Sequence, residues 1–244
     1  MSRLPLKAQT SLRGAGRGRS SSEEIGKKRV FIVDDHPLML KGLTQMINDE
    51  ADLVVAGQAE EPHLALDALS KSQFDIAIID LSLKDGNGLD LIKMLKSRLP
   101  KLPVLVLSAY DEDLYAERAF RVGARGYVMK KEAPEKLLGA VRQIIRGEIA
   151  VSEDFKLRML EKMADGHAES VTSPVAQLGD RELEVFQLIG QGFGTRQIAG
   201  KLCVGIKTID AYRTSIREKL NLENSARLVY CAIQWVEESR KFPT

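Results

Sequence analysis

The chain is poor in cysteine and histidine, has no long apolar run, and carries no dominant charge. Cys203 and Cys231 stand 28 positions apart with no CxxC pair. That excludes a disulfide scaffold and a zinc ribbon, and the two read as reduced, buried thiols of a cytosolic protein. The three histidines, His36, His63 and His167, are scattered, which leaves no metal cluster of the usual kinds. No stretch approaches the roughly 18 consecutive apolar residues of a membrane span, and no secretory apolar segment is present, so no membrane partner is expected. Lys and Arg number 36 against 34 Asp and Glu. The 44% apolar share is ordinary for a globular protein and excludes wholesale disorder, and 244 residues suggest one or two domains.

The near-neutral total hides a gradient. Net charge is +5 over residues 1–28, −3 over 29–150, −2 over 151–176 and +2 over 177–244. The basic C-terminal piece gives weak support for a nucleic-acid partner there. Residues 1–28 are rich in Arg, Gly and Ser with no apolar period, and read as a disordered, solvated tail in preference to a transit peptide.

From Arg29 short apolar runs alternate with helical periods. The runs are VFIVDD (30–35), LVVAG (53–57), IAIID (76–80), VLVLS (104–108) and GYVMK (126–130). Between them Leu40, Leu43 and Ile47 share a face, as do Leu89, Ile92, Met94 and Leu95, and, after Pro134, Leu137, Leu138, Val141, Ile144 and Ile145. Nearly continuous apolar strands separated by helices predict a doubly wound, five-stranded parallel α/β sheet over 29–150, with its ligand at the carboxyl ends of the strands. Ser152 is placed to cap a helix over 152–164, and 165–176 reads as a polar linker. Helical periods over 180–191, 195–202, 206–220 and 225–239, punctuated by Gly192, Gly194 and Gly205, predict a small all-α domain over 177–244.

The strand ends carry the chemistry. Run one ends in Asp34-Asp35, run three in Asp80, run four in Ser108 and run five in Lys130. Three carboxylates brought to one spot repel unless a cation sits among them, and Mg²⁺ suits an all-oxygen donor set. A nucleophilic Asp, a metal, a hydroxyl and an ammonium make a phosphoryl-transfer site.

The segments VDD, IIDLSLKDGNG, LSAY and ARGYVMK together resemble the receiver domain of two-component response regulators over about 30–150. The resemblance implies Asp80 as phosphoacceptor, and Mg²⁺ held by Asp34, Asp35, Asp80 and the backbone carbonyl of Ser82. It implies Ser108 and Lys130 on the phosphoryl group and Tyr127 as the aromatic switch. Leu83-Lys84 stands where Met-Pro is usual, and Lys131 where proline is frequent.

In LGDRELEVFQLIGQGFGTRQIAGKLCVGIKTIDAYRTSIREKLNL, Ile198, Ala199 and Leu202 form one inner face and Ile209, Tyr212, Ile216 and Leu220 the next. The latter helix turns Asp210, Ala211, Arg213, Thr214 and Arg217 outward, with Lys207 and Thr208 at its start, as a major-groove helix does. Residues Arg181-Glu182, Gly192, Ile198-Ala199, Leu202, Lys207-Thr208-Ile209 and Lys219-Leu220 resemble the LuxR-type DNA-binding domain. With the receiver, the chain resembles a NarL/FixJ-type regulator. That resemblance implies a sensor histidine kinase, double-stranded DNA and a phosphorylation-dependent homodimer as partners, with Asp210, Ala211 and Thr214 facing bases and Lys207, Arg213 and Arg217 facing phosphates. Gly205 replaces a common Ser cap, and Asp210 puts a negative charge where a basic or polar residue is common. The last helix carries Leu228, Val229, Ala232, Ile233, Trp235 and Val236, an apolar strip suited to the domain core and to a two-fold dimer.

Two rival readings are weaker. A haloacid-dehalogenase-type phosphatase needs an acid two residues after its nucleophile, where this chain has Ser82. A receiver that is never phosphorylated would have no use for the complete set of acceptor, metal-binding and phosphate-gripping residues. The sequence therefore predicts a cytoplasmic transcription regulator that catalyses only its own phosphoryl transfer and dephosphorylation.

Overall fold

The computed structural model describes residues 26–83, 87–164 and 174–241. Most of the expected tail, Lys84 to Gly86 and most of the polar linker lie outside the described residues. The elements run β1 (Lys28–Val33), α1 (Pro37–Asn48), β2 (Leu53–Ala59), α2 (Pro62–Lys71), β3 (Ile76–Ile79), α3 (Gly88–Arg98), β4 (Val104–Ser108), α4 (Glu112–Val122), β5 (Gly126–Met129) and α5 (Pro134–Ile145). Then come α6 (Glu153–Ala164), a 3₁₀ turn (Pro174–Gln177), α7 (Asp180–Gly190), α8 (Thr195–Lys201), α9 (Ile206–Lys219) and α10 (Ser225–Lys241).

Alternation along β1 divides the core. Val30 and Ile32 face one side with Leu40, Leu43 and Ile47 of α1 and Leu137, Val141 and Ile144 of α5. Phe31 and Val33 face the other, with buried residues of α2, α3 and α4. Burial on both faces is why these strands are apolar throughout. All pairings are parallel, in the order β2-β1-β3-β4-β5. The order reverses between β1 and β3, the point at whose carboxyl ends sheets of this kind take their ligands.

Each helix opens on local chemistry. Prolines at the starts of α1, α2 and α5 supply the backbone angle of a first turn and lack the N–H that would go unpaired there. Asn87 accepts from the Leu89 N–H at 2.8 Å and Asp111 from the Asp113 N–H at 3.0 Å. Ser152 caps α6 as its position foretold, accepting from the Phe155 N–H at 3.1 Å.

That helix packs on the receiver. Phe155 is buried beside Phe120 of α4, and Ser152 donates its N–H to Glu112 at 3.0 Å. In the C-terminal unit, Leu183, Phe186 and Ile189 of α7, Ile198 of α8, Ile209 and Ile216 of α9 and Leu228 and Ala232 of α10 form the core. Gly190 permits close contact of α7 and α10: a Cβ there would lie 2.3 Å from the Ala232 carbonyl oxygen.

Four expectations need correction. Cys203 is exposed rather than buried, because it takes a left-handed conformation (φ 50°) just past the end of α8 and its side chain turns outward. Cys231 is only half-buried. Met94 is exposed, and Leu91 takes the inner position beside Ile92 and Leu95, since residue 94 lies off that stripe. Lys28 belongs to β1, where its N–H donates to the Asp52 carbonyl at 2.8 Å.

Candidate acceptor site and nucleic-acid interface

Backbone pairing brings the acids together. Val33 pairs with Ile79, and the Asp80 N–H donates to the Val33 carbonyl at 2.9 Å, so the residues leaving β1 and β3 stand side by side. Gly88, at the start of α3, packs directly against the backbone of Asp80: a Cβ there would come within 2.3 Å of the Asp80 carbonyl oxygen. On the other side the Lys130 N–H donates to the Ser108 carbonyl at 2.7 Å, which brings the lysine in from β5.

The result is a buried cluster. Asp34, Asp35, Asp80 and Ser108 are all buried. Lys130 Nζ lies 2.6 Å from Asp34 Oδ2 and 2.7 Å from Asp80 Oδ2. Ligand atoms of Asp34, Asp35, His36 and Asp80 fall within 4.8 Å of one another. Among the described residues, Lys130 thus pairs with two of the three buried carboxylates, and Asp35 lies beside them against His36. Burial raises the Asp80 carboxyl above the usual carboxylate range, and Asp34 adds repulsion; Lys130 and the Ser82 N–H, at 3.2 Å from Asp80 Oδ1, pull it back only in part. Burial lowers the Lys130 ammonium, but Asp80 and Asp34 outweigh that and hold it above its ordinary value.

Five of the seven sequence-predicted receiver positions (Asp34, Asp35, Asp80, Ser82 and Lys130) converge on this spot. Ser108 lies beside them, but its hydroxyl is turned to accept from the Tyr110 N–H at 3.1 Å. Tyr127 is buried, and its hydroxyl donates to the Tyr110 carbonyl at 2.9 Å. Two participants escaped the sequence reading. His36 follows the acidic pair, with Nδ1 2.8 Å from Asp35 Oδ1 and 3.2 Å from Asp34 Oδ1, and its adjacency to them was the available signal. Tyr110 links Ser108 to Tyr127, and only its place two residues past Ser108 hinted at this. An apolar groove of about 520 Å³ between α1 and α5 is lined by Leu38, Met39, Met46, Val128 and Pro134, with Lys130 also on its wall.

The second candidate site is α9. Ile209 and Ile216 anchor it, while Lys207, Thr208, Asp210, Ala211 and Thr214 are exposed and Arg213 and Arg217 half-buried. Tyr212 and Leu220 are also half-buried, flanking the inner stripe. Glu182 of α7 holds α9 in place. It accepts from Ser215 Oγ at 2.6 Å, Lys219 Nζ at 2.6 Å and the Gly179 N–H at 2.6 Å. Burial raises its carboxyl, but these donors together bring it below the ordinary glutamate value.

Family models match both units. The response regulator receiver domain matches residues 30–142, and the luxR family of bacterial regulatory proteins matches 176–232. The oxygen regulatory protein NreC of Staphylococcus carnosus is 32% identical over 210 residues, covering 84% of this chain and 97% of that protein. The chain belongs to the two-component response regulators with a LuxR-type DNA-binding domain. Solved structures agree. The Salmonella typhimurium RcsB response regulator is 29% identical, with a TM-score of 0.60 over 86% of this chain and 98% of that one. RcsB of Salmonella enterica bound to the P1flhDC promoter with the phosphomimetic BeF₃⁻ is also 29% identical, with a TM-score of 0.56 over 84% of this chain and 98% of that one. This response regulator is thus a DNA-binding transcription regulator and not a metabolic enzyme. Among the described residues no helix is long and apolar enough to cross a membrane.

Proposed function

We propose that Asp80 accepts a phosphoryl group from a sensor histidine kinase in the cytoplasm, and that the modified protein pairs on DNA to regulate transcription. The observation that carries this is the buried cluster of three carboxylates, two of them paired with Lys130, at the sheet's switch point. Such an arrangement is unfavourable as a structural device and useful as a site for phosphoryl chemistry. In the transfer an Asp80 carboxylate oxygen bonds to phosphorus as the P–N bond of a phosphohistidine breaks. The imidazole leaves with the bonding pair and takes its proton from solvent. Lys130 contributes positive charge beside the transferring group, and Ser108 a hydroxyl once it leaves the Tyr110 N–H. Hydrolysis of the acyl phosphate by water on the same residues restores Asp80.

The donor set fits Mg²⁺. Beside the exposed His36 it offers the buried oxygens of Asp34, Asp35 and Asp80, and among the described residues the Lys130 ammonium pairs with two of these three carboxylates. Asp34, Asp35, Asp80 and the Ser82 carbonyl would hold the ion, which when bound screens charge on the phosphoryl oxygens.

The same proposal divides the chain into a receiver over 29–150, a connection over 151–176 and a DNA-binding domain over 177–244. On α9, Lys207, Arg213 and Arg217 contact phosphates. Thr208 at its start joins that surface, and Asp210, Ala211 and Thr214 face base edges. Asp210 suits a cytosine amino group and repels phosphate, which keeps non-specific affinity low.

Incubation with a small acyl-phosphate donor tests the acceptor. Wild-type protein will incorporate phosphate in a Mg²⁺-dependent way and Asp80→Asn will not, whereas labelling of that variant at the wild-type rate refutes the assignment. In footprinting at one salt concentration, Lys207→Ala will weaken binding to all sequences alike, and Thr214→Ala will change which sequence is preferred.

A further inference from the structure

The receiver and the DNA-binding unit meet along α4 and α7, and Tyr110 stands between this contact and the acceptor site. Its N–H donates to Ser108 Oγ at 3.1 Å and its carbonyl accepts from the Tyr127 hydroxyl at 2.9 Å. Its own hydroxyl donates to Glu184 of α7, a buried carboxylate that also pairs with Arg181. Its ring stacks on Tyr115 at 4.6 Å, and the Tyr115 hydroxyl lies 3.4 Å from Gln187 Oε1. One turn further along α4, Arg118 donates to the Leu178 carbonyl at 2.8 Å and to Asp180 Oδ1 at 2.9 Å, at the start of α7.

We infer that Tyr110 is the coupling residue of this protein, holding α7 to the receiver through Glu184 while its backbone senses Ser108 and Tyr127. The inference rests on the proposal that Asp80 is phosphorylated. A Ser108 hydroxyl that turns to donate to a phosphoryl oxygen leaves the Tyr110 N–H without its acceptor. The loop after β4 then shifts, and the phenol that bonds Glu184 shifts with it. Arg118 is the second point of attachment and touches nothing at the acceptor site through these bonds. The recognition surface is not what the receiver covers: Lys207, Thr208, Asp210, Ala211 and Thr214 are all exposed in this docked arrangement. The latch therefore controls how the DNA-binding unit is oriented and freed, and not whether its recognition helix is masked.

The chain carries its own reporter. Its single tryptophan, Trp235 on α10, lines a cavity of about 160 Å³ between the units, together with Ala109, Asp111, Lys131, Gln187 and Val236. The emission of Trp235 in the full chain is followed as Mg²⁺ and beryllofluoride are titrated in. Wild-type emission is expected to move to longer wavelength as the cavity opens to water. In Arg118→Ala and in Tyr110→Phe, the ratio of docked to free protein falls roughly tenfold, the scale of one lost bond to a charged group. The beryllofluoride concentration at half-shift then falls by the same factor, because coupling between two sites is reciprocal. Arg118→Ala keeps the test sound if Tyr110→Phe disturbs the acceptor loop. Wild-type midpoints in both variants overturn the latch. So does a wild-type emission that stays fixed while Asp80 still takes phosphate from an acyl-phosphate donor. A shift that appears only at high protein concentration reports dimerisation and overturns it too. Failure of Asp80 to take phosphate overturns the acceptor proposal instead.

Discussion

The receiver and the DNA-binding unit each bury carboxylates, and they treat them in opposite ways. Glu182 meets an ammonium, a hydroxyl and a backbone N–H, and its carboxyl settles below its ordinary value. Asp80 shares one ammonium with Asp34, keeps Asp35 close by, and is pushed up. A buried acid with all its partners is part of the scaffold; buried acids short of positive charge wait for a cation or a charged ligand. The difference is in compensation and not in residue type or burial.

The largest test of this contrast removes the ammonium that Asp34 and Asp80 share. In Mg²⁺-free buffer Lys130→Met is expected to cost about 3 kcal/mol in urea unfolding, since the buried Asp34 and Asp80 carboxylates lose their shared partner. Added Mg²⁺ should recover much of the loss, and recovery by Mg²⁺ of the wild type and the variant to the same extent would break the comparison. Next in size, Glu182→Ala strands three donors that α9 and the start of α7 direct at it. A loss of about 2 kcal/mol is expected, read as unfolding of the helical unit by far-ultraviolet circular dichroism. The receiver counterpart has the opposite sign. Without metal, Asp80→Asn removes one of the repelling charges and is expected to raise stability by about 1 kcal/mol. A destabilising Asp80→Asn would mean that the cluster is already balanced.

The smallest effect is one of pH. The folded-state value of Glu182 lies below the ordinary value of about 4.5, so its stabilising contribution is present above that value and fades as pH falls through the lower, folded-state one. Glu182→Gln should therefore flatten the stability profile below about pH 4.5 and leave its shape near neutrality unchanged. A variant profile that parallels the wild type throughout the acid range would remove Glu182 from the account.

Much of the receiver was legible in the chain because parallel strands buried on both faces must be apolar, and their ends must be where the polar residues fall. Asp34, Asp80, Ser108 and Lys130 each follow or close such a run, which is why they could be named before any contact was known. Side-chain direction was less legible. Met94 fits a helical period read loosely, yet it lies off the buried stripe, and Cys203 is small and apolar, yet it occupies a left-handed position past a helix end. His36 was set aside because histidines far apart in sequence suggested no site, although its own neighbours were the acids that matter.

By itself, then, the sequence determined the local order: five apolar strands and the helices between them, the cap at Ser152, the helical C-terminal unit, and the polar residues at the strand ends. These follow from periodicity, burial and capping, which act over a few residues at a time. Only the tertiary structure decided that α6 lies on α4, that Glu182 ties α7 to α9, and that Tyr110 and Arg118 join the receiver to α7. Such contacts link residues tens of positions apart. Each depends on two surfaces meeting at one angle, and no repeating pattern along the chain records that angle.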